Sequence, residues 1–107
     1  MNVLFFKVED VLNFKDTEAR APDGRLGIVD RMVKDLRKEL DNMPPGTQLV
    51  LYGDWIKDWD FDDSKCTENG KYLNRKLERR GLHVMEKTDC VMDYIQKKHV
   101  GEMKILA

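Results

Sequence analysis

The chain has 107 residues, of which 41% are hydrophobic and 36% charged, with a formal net charge of -1. This length suits one small domain with one core and excludes two, and the regular recurrence of apolar runs excludes a disordered chain. The near-zero charge excludes a global pull toward nucleic acid or an anionic membrane, so any such binding is local.

Taken in order, Val3-Leu4-Phe5-Phe6 is a short, wholly apolar run flanked by polar sequence. It predicts a strand buried on both faces, as in a parallel sheet. Lys7, Glu9 and Asp10 follow at its carboxyl end, where open α/β sheets place their ligand crevice. Phe14 to Gly27 is a polar connection with a turn at Ala21-Pro22-Asp23-Gly24. Val29, Val33, Leu36 and Leu40 then recur at helical spacing, predicting an amphipathic helix over Leu26–Leu40 that Met43-Pro44-Pro45-Gly46 stops.

Gln48–Tyr52 is the second strand, running into Gly53-Asp54-Trp55, and Asp58–Gly70 is an acid-rich connection. A helix is predicted over Lys71–Arg80, with Gly81 as its terminating residue, followed by a third strand at Leu82–Met85. Thr88-Asp89 caps a third helix that turns Val91, Met92 and Ile95 toward the sheet, and Met103–Leu106 is the last strand. The order β-α-β-α-β-α-β predicts one domain over residues 1–107, a three-layer α/β/α sandwich on a mainly parallel, Rossmann-like sheet.

The buried first strand, a charged residue, one spacer, an acid and then Val11-Leu12-Asn13 resemble the first motif of the haloacid dehalogenase (HAD) superfamily of phosphatases. The likeness is closest to small HAD-like domains, and it implies a strand order of 4-1-2-3. In that alignment Lys7 stands at the family's nucleophile, Glu9 at its acid/base position and Asp10 at its glycine. Leu49–Trp55 resembles the second motif, with Trp55 in place and Tyr52, Gly53 and Asp54 where the family has a run of serines. Lys87 is the third-motif lysine the resemblance implies, with Lys97 and Lys98 as weaker choices, and the chain ends at Ala107 where a metal-binding aspartate pair is expected.

The family's chemistry needs one carboxylate that attacks phosphorus, a second that protonates the leaving oxygen and a third that helps bind Mg²⁺. A lysine cannot take the first role, and its ammonium stands where the metal's charge would lie. Lys7 is expected to pair with Glu9, Asp10 or Asp54. The resemblance therefore implies a degenerate domain without phosphatase activity or cofactor, acting as an interaction module for a partner protein or a second copy. The alternative is a Mg²⁺-dependent phosphohydrolase with an altered site. Its catalytic residues would be Glu9 and Asp10, with Lys7 and Lys87 on phosphate and Asp54 and Trp55 in the cleft.

A further alternative is a phosphate-ligand or nucleic-acid binder using Lys7, Lys87 and the helix cations Lys71, Arg75, Lys76, Arg79 and Arg80. Asp58-Trp59-Asp60-Phe61-Asp62 imitates the start of a calcium loop, but Asp63 replaces its glycine and Asn69 its bidentate glutamate, so a solvated acidic loop is expected. Cys66 and Cys90 lack Cys-x-x-Cys spacing and neighbouring histidines, which leaves them as free thiols. No segment approaches the roughly 20 apolar residues of a membrane span, and Val3–Phe6 is too short for a signal-peptide core of about 7–15 residues. A cytoplasmic location without membrane contact is expected.

Overall fold

Strand β1, Val3–Phe6, has all four side chains fully buried, so it must be covered on both faces. It lies inside the sheet of the computed structural model, which describes residues 1–107. Strands β2 (Gln48–Leu51), β3 (Val84–Lys87) and β4 (Met103–Ile105) complete the sheet in the order β3-β2-β1-β4, with every pair parallel. Read from the opposite edge, this is the expected order 4-1-2-3.

The period-2 alternation of a strand decides the layers. Leu4 and Phe6 stand in register with Leu49 and Leu51, and on that face they meet Val33 and Leu36 of helix α1 (Asp30–Asp41) and Leu73 and Leu77 of helix α2 (Glu68–Glu78). Val3, Phe5 and Val50 point the other way, toward helix α3 (Val91–Lys97). There Tyr94 packs edge-on against Phe5, with ring centroids 5.6 Å apart. The chain is thus an α/β/α sandwich with two helices on one face of the sheet and one on the other.

Several boundaries differ from the predicted ones for identifiable reasons. Helix α1 starts at Asp30 rather than Leu26 because the preceding segment is held extended, with Leu26 bridged antiparallel to Arg20 and Val29 at φ -94° and ψ 120°. Gly27 N–H donates to Ala19 O, Ile28 N–H to Tyr72 Oη and Val29 N–H to Leu12 O, which keeps this segment out of the helix. Helix α2 starts earlier than predicted, at Glu68, because Thr67 Oγ1 accepts the Gly70 N–H and caps it.

The end of α2 is a Schellman turn. Leu82 N–H donates to Leu77 O and Gly81 N–H to Glu78 O, with Gly81 at φ 67° and both leucines buried. That turn uses Leu82, so β3 begins at Val84, two residues later than predicted. In α3 the inward stripe is Val91, Tyr94 and Ile95, the i, i+3, i+4 set, whereas Met92 is 62% exposed instead of facing the sheet. No helix is long and apolar enough to cross a membrane.

Candidate functional site

The chain steps from β1 to β2 to β3 along one side, using α1 and α2 on one face. It then crosses by α3 on the other face to β4, on the far side of β1. This reversal makes the carboxyl end of β1 a topological switch point, where open α/β sheets form their ligand crevice. Lys7 is the first residue beyond that end.

The segment after Lys7 folds back tightly. Leu12 N–H donates to Val8 O at 2.9 Å, and Val8 and Leu12 are both fully buried. Asp10 lies between them at φ 65°, and its N–H donates to Asn13 Oδ1 at 3.0 Å. Asp10 therefore holds the left-handed conformation that glycine adopts without steric cost.

Gly53, at the carboxyl end of β2, has φ 85° and ψ -169°. Its bare Cα faces the switch point: a Cβ there would lie 2.8 Å from Glu9 Oε2 and 2.9 Å from Lys7 Cβ. The fold thus brings Lys7, Glu9 and Gly53 together, with Asp54 beside them. The Glu9 carboxyl is held above its ordinary range, first by burial and then by the neighbouring Asp54 carboxylate. Its own backbone N–H, the Lys7 ammonium and the Asp54 N–H oppose that rise. Glu9 Oε1 is buried without a hydrogen-bond partner.

Lys7 makes no ion pair within 4.0 Å, so the expected pairing with Glu9, Asp10 or Asp54 is not formed. Tyr52 instead closes the end of the strand. Its hydroxyl donates to Leu106 O, while Leu106 N–H donates to Phe5 O at 2.9 Å. Since β2 and β4 flank β1, the phenol reaches across β1 to the end of β4.

The other sequence-derived residues lie apart from this cluster. Trp55 is only 3% exposed, with the Arg25 guanidinium 5.1 Å above its ring, so it belongs to the core and does not line an open cleft. Lys87 Nζ donates to Ile56 O at 2.9 Å and Trp59 O at 2.6 Å, which anchors the loop after β2. Lys98 lies 3.6 Å from Glu86, and Lys97 joins both lysines in lining a depression at the carboxyl end of β3.

The calcium-like stretch is not uniformly solvated. Asp58 is buried at 7% exposure and binds Arg25 Nη2 at 2.8 Å and Thr67 Oγ1 at 2.9 Å. Asp60 and Asp62 accept N–H groups from their own loop, at Asp62 and Ser64. No group of three or more His, Cys, Asp or Glu side chains is arranged to hold a metal ion. At the switch point the residues do not fit Mg²⁺, which calls for about six oxygens, because Glu9 and Asp54 are the carboxylates that act on one another there and the Lys7 ammonium adds positive charge felt at Glu9.

The cations of α2 divide between two sides. Lys76 and Arg79 both reach Asp30, at 3.2 and 3.9 Å, and Lys71 lies 3.8 Å from Glu68. Arg75 faces a groove that sequence reasoning did not identify. This groove, of about 510 Å³, runs between α2, the edge strand β3 and the loop carrying Trp59 and Phe61. Phe61 is 75% and Met85 42% exposed on its walls. Trp59 Nε1 donates to Asn74 Oδ1 at 3.0 Å and Asn74 Nδ2 to Asp63 Oδ1 at 3.1 Å, tying the loop to α2. The only sequence signal for it was the density of aromatic residues in that loop.

No family model, curated protein or solved structure matches the chain.

Proposed function

We propose that the chain is a HAD-like domain that has given up phosphatase chemistry and serves as an interaction module. The observation that carries this reading is the occupancy of the switch point by Lys7 and Tyr52. A lysine there cannot supply the attacking carboxylate or bind a divalent cation. The Tyr52 phenol lies across the same strand end, where the resemblance expects small hydroxyl residues. The left-handed Asp10 at the family's glycine position supports the likeness itself.

The groove beside β3 supports the binding role, since it joins the aromatic-rich loop to an open sheet edge in one surface. The partner is a second protein or another copy of the chain. One specific observation favours the enzyme alternative: Glu9 combines a raised pKa with an unpartnered oxygen, as a proton-donating carboxyl would. The nucleic-acid alternative is supported less, because the α2 cations are split between two sides and three of them already have carboxylate neighbours.

Hydrolysis of p-nitrophenyl phosphate with and without Mg²⁺ tests the proposal. The expected result is no turnover above background for the parent chain and for Glu9→Ala alike. A reproducible Mg²⁺-dependent rate that disappears in Glu9→Ala would overturn it in favour of the altered phosphohydrolase. Sedimentation velocity over a range of concentrations then separates self-association, which Phe61→Ser should abolish, from a module whose partner is a different protein.

A further inference from the structure

Strand β4 is the least protected part of the sheet. It has three residues, all exposed, and pairs on one side only, with β1. The phenol of Tyr52 is placed to hold its end. Tyr52 packs with Val3, Phe5, Val50 and Tyr94 on the α3 face, and its hydroxyl bonds to Leu106 O. Two inter-strand spacings amount to about 9–10 Å, close to the full reach of a tyrosine side chain plus one hydrogen bond.

The sheet register shows what lies beneath that span. Phe6 pairs with Leu51 and Phe5 with Ile105, so Lys7 stands level with Tyr52, and Phe6 level with Leu106. The line from Tyr52 to Leu106 therefore crosses β1 at the Phe6–Lys7 junction. We propose that Tyr52 is a latch: its bond to Leu106 O holds β4 against β1 and closes the crevice at Lys7, and its release lets the end of β4 open as a local unit. Such local opening does not require global unfolding. The latch holds whatever the chemistry of the site.

The test is Tyr52→Phe, which removes the hydroxyl and keeps the ring in its apolar setting. One neutral hydrogen bond corresponds to a change of about five- to tenfold in the open population. Native-state hydrogen exchange should show the Leu106 amide, which donates to Phe5 O, exchanging about five- to tenfold faster. The Gln48 amide, which donates to Asn2 O between β2 and β1, should keep its rate. Acetylation by the anionic reagent sulfo-N-hydroxysuccinimide acetate, followed by mass spectrometry, should rise at Lys7 and stay constant at Lys34 on the exposed side of α1. Unchanged Leu106 exchange, equal acceleration at Gln48, or unchanged Lys7 acetylation would each overturn the latch.

Discussion

Replacing Gly53 with alanine probes the crowding at the end of β2. The backbone there, at φ 85° and ψ -169°, lies in a region open essentially to glycine alone, and forcing another residue into it costs about 1–3 kcal/mol. The new Cβ would also sit 2.9 Å from Lys7 Cβ, which is fixed to the backbone, and 2.8 Å from Glu9 Oε2, the end of a flexible side chain. Glu9 can swing aside while Lys7 cannot, so overpacking adds about 1 kcal/mol, the low end of its usual range. The combined cost is about 3 kcal/mol, a large share of the roughly 5–15 kcal/mol that holds a small domain together.

Gly46→Ala supplies the control. Gly46 also has a positive φ, 83°, but no heavy atom lies within 4 Å of a Cβ built there. Only the backbone contribution remains, about 1 kcal/mol. Urea unfolding should show both midpoints lowered with unchanged m values, and Gly53→Ala lower than Gly46→Ala by about 2 kcal/mol. Equal destabilisation by the two substitutions would refute the argument, because it would mean that Lys7 and Glu9 leave room for a Cβ at position 53.

Glu9 gives a signed pH dependence. Its folded-state pKa lies above the ordinary 4.5, so the stability it contributes is full below that value and is lost as pH rises through the folded-state value. Glu9→Gln should remove this step and be the more stable protein near neutrality; parallel urea-melt profiles across pH would refute the assignment. Tyr94 is pushed up to about 12 by burial and by its hydrogen bond to Glu86, so stability should also be lost as pH rises from its ordinary 10.0 through about 12. Ultraviolet titration should find tyrosine ionisation in that late range that Tyr94→Phe removes. Thr67→Ala removes both the α2 cap and a 2.9 Å bond to Asp58, and should cost about 1–2 kcal/mol by urea unfolding, with Thr67→Ser close to the parent.

The elements that were legible in the chain are those whose signal is local and apolar. Val3–Phe6 and Leu49–Leu51 are strands because such runs have no other way to be buried, and the α1 stripe of Val33 and Leu36 follows from spacing alone. Boundaries shifted wherever a specific partner, near or distant, took the backbone. Ile28 bonds to Tyr72, 44 residues away, and the late start of β3 follows from the turn that Leu82 makes with Leu77. Lys7, Glu9 and Asp54 were singled out for the strand-end site, and the fold does gather them around Gly53, whose own part there was not legible. The lack of an ion pair at Lys7, the burial of Trp55 and the span of Tyr52 to a carbonyl 54 residues away were not legible, since each depends on where other strands end. The groove likewise required Trp59 of the acid-rich connection to meet Asn74 of α2, 15 residues away.

The position of Lys7 bears on the proposal that the scaffold has given up phosphatase chemistry. The residues at the centre of the sheet are Val3–Phe6 and Leu49–Leu51, all without solvent exposure or nearly so, and truncating them would open cavities costing about 2–5 kcal/mol each. Lys7 lies one residue beyond the last paired position and makes no ion pair, so the pairing of the sheet does not depend on its side chain. A carboxylate at the same place would carry its own burden beside Glu9 and Asp54, because like charges at a partly buried site raise one another's pKa and need a cation to offset them. An ammonium reduces that repulsion without a metal. On the proposed reading, a lysine in place of a nucleophilic carboxylate would therefore also relieve the electrostatics of the strand end, where Lys7 opposes the rise that Asp54 imposes on Glu9, and it would leave the packing of the sheet intact.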